Sequence, residues 1–397
     1  MKPLPLDGVL VLDLSISVSG PMAAAMLADA GARVIKIDRV GGELSSEWDS
    51  VVHGLSSAYV WNARNKESVA LNLKDPRGLQ AARALARRAD VVIENFSPGT
   101  IARMGLGYDE VSRDNPRVIY CHISGYGQDG PYRDEKAFDF LVQGESGVLS
   151  MNGTPEEMCK VPLSIADISS GMYANQAVLL ALMQRERTGR GQEIDVSMLH
   201  SLISWVGYHA YFYWFRKELP ERLGARHHLL TPYGPYRCAD GKFVNLAVLS
   251  QSAWRTFCER AIERPELADD PRFVNNETRI RNRRDLEGQI AREIARRPQA
   301  EWLERFHALD IPCGRVNDLG EALDHPQLRQ RGAIVQLASK RGAIPAIANP
   351  ISLGTGPLRH DAVPVSGEHT RAVLRELGFD ETMIAQMLAE GAAAEAV

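Results

Sequence analysis

Cysteine is scarce and scattered in this chain of 397 residues. Cys121, Cys159, Cys238, Cys258 and Cys313 stand singly, with no CxxC pair and an odd total. Disulfide frameworks and zinc sites need paired or closely spaced cysteines, so neither is expected, no metal is expected, and a reducing cytoplasm is the expected location. Positive charge is not in excess either: 46 Lys and Arg face 50 Asp and Glu, a formal net charge of −4. Nucleic-acid binders concentrate Lys and Arg opposite phosphates. Here the basic stretches Arg279 to Arg284 and Arg292 to Arg297 are flanked or interrupted by acids and read as solvated helix faces. Long apolar runs are missing too. The most apolar stretch, Leu199 to Phe215, carries His200, Ser201, Ser204 and His209, which predicts a buried helix and no membrane span. The start, MKPLPLDGVLVLDLS, reads as neither a signal nor a transit peptide. Neither nucleic acid nor membrane is an expected partner.

One more absence concerns residues 9 to 38, VLVLDLSISVSGPMAAAMLADAGARVIKID, which have the strand, helix and strand of a dinucleotide-binding unit without its glycines. The GxGxxG fingerprint lets backbone approach a pyrophosphate at the helix start. Here the turn is SISVSGP, with a single Gly20 and with Pro21 at the first helical position, where its missing N–H is harmless. Side chains at Ile16, Ser17 and Val18 keep a dinucleotide from lying flat there, so a nicotinamide cofactor is disfavoured, although the helix start still offers amides to an anion. The second strand ends in Asp38 and Arg39. A guanidinium fork at that place suits a phosphorylated ribose such as that of coenzyme A, the alternative being a solvated Arg39.

What is present supports a full core: 45% of residues are hydrophobic and 24% charged. β-branched runs alternate with helical patterns over the first 200 residues, which predicts an α/β fold with a parallel sheet. Strands are expected at VLVLDL, RVIKID, SVALNL, VVIENF, VIYCHIS and QEIDVSM. Helices are expected over Pro21 to Ala30, Asp75 to Arg88, Asp139 to Leu149 and Asp167 to Arg187. The Gly, Pro, His and Arg content of Arg222 to Tyr236 reads as a linker. YGPYRCADGKFVNLAVL reads as a hairpin turning at ADG, followed by helices over Gln251 to Ile262, Asp285 to Ala295 and Gln299 to His307. The expected organisation is a large Rossmann-like domain over 1–200 completed by 330–397, a linker helix region over 201–225, a small α+β domain over 226–325, and a return to the large domain over 326–397.

Eight segments carry a resemblance. VLDLSISVSGPMAAAMLADAGARVIKIDR, WNARNKESVALNLKDPRG, VVIENFSPGTIARMGLGYDEV, VIYCHISGYGQDGPY, AFDFLVQGESGVLSMNG, SIADISSGMYA, ERTGRGQEIDVSML and GEHTRAVLRELG resemble, in order and spacing, the class III CoA-transferase family. The resemblance implies coenzyme A thioesters as substrates with no permanently bound cofactor, a small carboxylic acid as acceptor, and an interlocked homodimer. It also implies a nucleophilic aspartate at Asp167, in SIADISSGMY. A carboxylate can form and surrender both an anhydride and a thioester, which is what moving CoA between acids requires. Asp167 also stands before a helical pattern, where a capping carboxylate is the alternative reading, and the amides of Ser169 to Gly171 are candidate oxyanion donors. By the same resemblance Ile16, Ser17, Val18, Arg39, Leu71, Lys74, Asn95, Phe96, Arg103 and Lys136 contact CoA. The cations among them would meet phosphates and Phe96 would stack on adenine.

Val18 stands where formyl-CoA transferase has Gln, and its glycine loop has no counterpart here, which turns the expectation away from formyl-CoA and oxalate. A related racemase has a His-Asp pair where this chain has Phe138-Asp139, and Phe cannot move a proton. Asp139 is left as a supporting residue near Asp167, with a helix cap as the alternative. The segments GTPEEMCKVPLSIADIS and RLGARHHLLTPYGPY resemble members acting on small dicarboxylates such as itaconate, citramalate or malate, with a donor such as succinyl-CoA. Arg226, His227 and His228 are candidates for the second carboxylate, or else solvated linker residues. A 2-methylacyl-CoA racemase and a non-catalytic CoA-binding protein are the alternative functions.

Overall fold

The structure, a computed structural model, describes residues 3–396. It forms two compact units. The larger comprises the chain up to Val148, Val161–Gly207 and the chain from Pro326; the smaller comprises Leu149–Lys160 and Tyr208–His325.

In the larger unit six strands run parallel: β1 (Leu10–Asp13), β2 (Arg33–Asp38), β3 (Lys66–Leu71), β4 (Val91–Glu94), β5 (Ile119–Ser124) and β6 (Gln192–Ser197). Their order is β3-β2-β1-β4-β5-β6. Both faces of the central strands are covered, which is why β1, β4 and β5 read as continuous apolar runs, whereas the edge strand β6, QEIDVS, alternates. One face holds Leu12, Ile35, Val69, Val92 and Tyr120 under the Pro76–Arg88 helix and the tail helices. The other holds Val11, Val34, Ile93 and Cys121 under the Ser19–Asp29 helix and the long Ile165–Thr188 helix. Ala23, Ala24 and Ala25 are fully buried, small enough to bring their helix close to its neighbours. Asp75 caps the Pro76–Arg88 helix by accepting the Arg77 N–H at 2.9 Å, with Pro76 at the first position.

The outer edge of β3 is closed by the tail. A two-residue strand, Ala393–Ala394, pairs antiparallel with Leu71 and Ala70. The Thr370 Oγ1 accepts the Ala70 N–H at 2.9 Å, and the His369 N–H reaches the Ser68 carbonyl at 2.8 Å.

Three expectations need correction. Leu199 to Phe215 is not one buried helix: it is Met198–Ser204 and His209–Arg216, interrupted where Gly207 takes a φ of 59°, and the second piece buries none of its residues. The helix expected over Asp139 to Leu149 ends at Glu145, and a short helix starts at Val148 after Gly147, whose φ is 78°. Arg279 is not on a solvated face. It is 2% exposed, lies over the Trp254 ring at 4.9 Å and donates to the Thr231 and Phe273 carbonyls, both at 3.1 Å. Arg281 and Arg284 are exposed as expected.

The smaller unit has a three-stranded antiparallel sheet, β7 (Tyr233–Arg237), β8 (Phe243–Ala247) and β9 (Cys313–Arg315). The hairpin turns through Asp240 and Gly241, as the ADG pattern predicts. Trp254, Phe257, Phe273, Trp302 and Phe306 form its core. Among the described residues no helix is long and apolar enough to cross a membrane.

Candidate active site

In a parallel sheet the loops after the strand ends line a crevice where the strand order reverses. Here the reversal lies between β1 and β4, and the loops that follow these two strands are bonded to each other. The Asn95 side chain accepts the Ile16 N–H at 2.7 Å and returns a hydrogen bond to the Ile16 carbonyl at 2.8 Å, while also reaching the Ser19 hydroxyl at 3.1 Å. Ser17 adopts a left-handed φ of 65°, unfavourable for a residue with a Cβ. Its N–H is held at 2.5 Å by the Glu43 carboxylate, which also accepts the Ser45 N–H at 2.8 Å. The amides of Ile16 and Ser17 are therefore taken by side chains, which narrows the expectation that this turn offers its amides to an anion. Gly20 is required by space, because a Cβ there would sit 2.2 Å from the Ser15 Cβ.

Beneath the turn lie buried charges. Lys66 bonds Asp13 at 2.8 Å and the Pro21 carbonyl at 2.7 Å, fastening the end of β1 to the helix that follows. Burial alone would raise the Asp13 pKa, but Lys66 and Lys36 outweigh it and hold the carboxyl below its usual range, while burial lowers the pKa of Lys66. In the β4 loop, Glu94 accepts the Phe96 N–H at 2.8 Å and the His122 ring at 2.5 Å, and His122 reaches Glu193 at 2.9 Å. Burial lowers the His122 pKa, yet the two glutamates raise it more, and the net shift is upward.

The remaining expected contacts lie on loops at this same edge. Arg39 is exposed and donates to the Gly42 carbonyl at 2.6 Å and to Glu47. Lys74 follows β3, Arg103 ends the Thr100–Arg103 helix after β4, and Lys136 lies beyond β5; all three are exposed. Phe96 is half-buried against the core, and Val18 is 4% exposed. Leu71 is 1% exposed, with its side chain in the core. Arg133, which sequence reasoning passed over, converges with Arg103: a Cβ at Gly99 would lie 3.2 Å from one guanidinium and 3.6 Å from the other.

Asp167 lies in the first turn of the Ile165–Thr188 helix, whose N-cap is Ser164, so Asp167 is not the cap. The helix start takes a distant partner in place of a local one. The Asp139 carboxylate accepts the Ala166 N–H at 2.9 Å, across 27 residues. The other Asp139 oxygen accepts from the Gln143 amide at 2.8 Å, and Gln143 accepts the Val161 N–H at 3.0 Å. Gln143 was missed by sequence reasoning, although its spacing four residues after Asp139 on one helix face was the available signal. The amides of Ser169 to Gly171 are inside the helix and bonded along it, so they are not the oxyanion donors expected; the hydroxyls of Ser169 and Ser170 turn back to the Ala166 carbonyl at 3.0 and 2.9 Å. One turn beyond Asp167, Gly171 meets the Ser19 carbonyl so closely that a Cβ would stand 2.7 Å from it. That contact brings the turn bearing Asp167 to the start of the helix after Ile16 to Val18.

In the smaller unit Arg226 is committed to Glu287 at 2.6 Å, to the Pro235 carbonyl and to the Tyr236 ring. His227 stacks on Tyr233 at 4.7 Å, and His228 bonds the Glu221 carbonyl at 2.6 Å. Arg226 thus keeps no open guanidinium fork for a second carboxylate.

Comparison with known proteins gives a consistent family. The model of CoA-transferase family III matches residues 6–370. The chain is 36% identical over 387 residues to a succinate–glutarate CoA-transferase of Agrobacterium fabrum, covering 95% of this chain and 96% of that protein. It is 34% identical over 383 residues to an acetyl-CoA:oxalate CoA-transferase of Acetobacter aceti, covering 95% and 97%. The crystal structure of a CAIB/BAIF family protein from Brucella suis superposes with a TM-score of 0.86 at 29% identity, covering 95% of this chain and all of that one.

Proposed function

The chain belongs to CoA-transferase family III, and from that premise we propose that it moves CoA from succinyl-CoA or a similar thioester to a small dicarboxylate through Asp167. The observation that carries the reading is the packing of the Asp167 helix, through Gly171 and Ser19, on the turn at the crevice of the sheet. The turn Ile16 to Val18, Arg39, Leu71, Lys74, Asn95, Phe96, Arg103 and Lys136 would hold the nucleotide end of CoA along this Rossmann-like edge, with the cations opposite its phosphates. Its thioester end would then lie by Asp167.

An oxygen of Asp167 adds to the thioester carbonyl, the C–S bond breaks, and a mixed anhydride and CoA thiolate result. The thiolate attacks the aspartyl carbonyl of the anhydride, releasing the donor acid as its carboxylate and leaving an aspartyl-CoA thioester. The acceptor carboxylate then adds to that thioester, expelling thiolate and forming the second anhydride. Attack of thiolate on the acceptor's acyl carbon forms the new CoA ester and returns Asp167 as a free carboxylate. Water must be kept out, because hydrolysis of either anhydride discards the activated acyl group. Relatives named for glutarate and oxalate favour a dicarboxylic acceptor. We further propose a homodimer as the working form.

Incubation with succinyl-CoA and hydroxylamine, followed by peptide mass spectrometry, should reveal a hydroxamate on Asp167. Asp167→Ala should lower transfer by about 10³-fold or more. Undiminished transfer in that variant, or a hydroxamate elsewhere, would remove Asp167 from the role. Rates with glutarate, oxalate, malate, citramalate and itaconate then rank the acceptors.

A further inference from the structure

The first turn of the Asp167 helix is held by a chain of hydrogen bonds in which every donor meets an acceptor. The Ala166 N–H donates to one Asp139 oxygen at 2.9 Å. The Gln143 Nε2 donates to the other at 2.8 Å, and the Gln143 Oε1 accepts the Val161 N–H at 3.0 Å. Two longer contacts, both 3.4 Å, run from Nε2 to the carbonyls of Val161 and Leu163. Gln143 is fully buried, so its amide has no water to turn to, and both ends of the amide are assigned by their partners. The chain begins at Val161 and ends at Ala166, on either side of the bend that leads into the helix, and Asp167 is the next residue.

Resting on the reading of Asp167 as the nucleophile, we propose that Gln143 and Asp139 are positioning residues that act as one unit. They clamp residues 161–166 so that the Asp167 carboxylate meets the thioester carbonyl in a reactive pose. Neither supplies a proton or a charge to the reaction. The role of Asp139 is to accept two hydrogen bonds, and that of Gln143 is to donate to it while accepting from Val161.

This division of labour has a decisive property, because the polarity of the pair can be exchanged without losing the chain. In Asp139→Asn alone, two amide NH2 groups face each other; in Gln143→Glu alone, two carboxylates do. In the double variant the side-chain oxygen at 139 still accepts from Ala166 and its NH2 donates to the carboxylate at 143. That carboxylate still accepts from Val161. The two 3.4 Å contacts turn into oxygen facing oxygen, which is why the double is expected to return close to wild type and not fully to it.

Steady-state kinetics of wild type, D139N, Q143E and D139N/Q143E therefore test the inference. A misplacement of about 1 Å costs of order 10²-fold in rate. Each single variant should lose about 10- to 100-fold in kcat with little change in KM for the acyl-CoA. The double should return to within about fivefold of wild type, a coupling that only residues acting together show. If the double is as slow as the slower single, the negative charge of Asp139 itself acts in the reaction and the inference falls. It falls equally if the single variants keep wild-type kcat, or if their loss lies in KM. Should either single variant fail to fold, the double decides alone: kcat within about fivefold supports the clamp, and a loss beyond about 100-fold overturns it. The Asp167 hydroxamate, measured on wild type in parallel, separates the two readings. If the cycle couples as described while no hydroxamate forms on Asp167, the clamp stands and the nucleophile assignment is wrong.

Discussion

His122 sits between two glutamates, with Glu94 at 2.5 Å and Glu193 at 2.9 Å, and its ring lies tilted against Tyr120 at 4.7 Å. Its pKa is raised in the fold: burial works against the imidazolium, and the glutamates more than compensate. A group whose folded pKa exceeds its unfolded value stabilises fully below the unfolded value, and this contribution disappears as pH rises through the folded one. Wild type should therefore lose its stability advantage over His122→Gln as pH rises above about 6.5 and through the raised folded value, as read by thermal unfolding at a series of pH values. A gap between the two proteins that does not change with pH would show that His122 is not charged in the fold. Glu94 also accepts the Phe96 N–H, so the same loss should loosen the loop carrying Asn95 and Phe96. Such residues were hard to read from sequence. Asp167, Asn95 and the turn Ile16 to Val18 announce themselves through local pattern and resemblance. Glu43 and His122 act through partners that pattern does not reveal, and so does Gln143 apart from its local bond to Asp139: Ser17 to Glu43 spans 26 residues, Glu94 to His122 spans 28, and Val161 to Gln143 spans 18.

At the scale of elements, the contact between the Ile165–Thr188 and Ser19–Asp29 helices depends on one missing Cβ. Gly171→Ala would set a methyl 2.7 Å from the Ser19 carbonyl, an oxygen fixed in the backbone that cannot swing aside. The helices must separate, and the expected loss is about 1–3 kcal/mol, the usual range for overpacking. Exposed Gly144 in the Asp139–Glu145 helix is the control: a Cβ there meets nothing within 4 Å. Gly144→Ala should be neutral or stabilising by up to about 1 kcal/mol. Denaturant unfolding of both variants checks this, and equal effects at the two sites would refute the close-contact argument. The strands and the larger helices of the parallel sheet were legible because both-face burial leaves continuous apolar runs and because caps such as Asp75-Pro76 mark helix starts. The breaks at Gly147 and Gly207 were less legible. Apolar periodicity continues through both, and the chain turns because those glycines take left-handed φ values of 78° and 59°.

For the molecule as a whole, the most telling feature is the His209–Arg216 helix, which buries none of its residues and exposes Tyr211, Trp214 and Phe215 at 58%, 60% and 82%. Apolar surface of this kind marks an interaction site. With the proposed homodimer as its cover, sedimentation equilibrium should give twice the monomer mass, and Phe215→Asp should shift the population toward monomer or make the protein insoluble. A wild-type chain that is monomeric at micromolar concentration would remove the proposal. From sequence this stretch was read as part of a buried helix, and the structure leaves it exposed instead. The tail that closes β3 has a consequence of another kind, in time. The edge of β3 at Ala70 and Leu71 is completed by Thr370 and Ala393–Ala394. At about 5–20 residues per second of synthesis, the closing segment follows β3 by some tens of seconds. Through that interval a nascent chain that has formed β3 holds an open sheet edge beside the loop of Lys74, a template for wrong pairing until Thr370 and Ala393–Ala394 cover it.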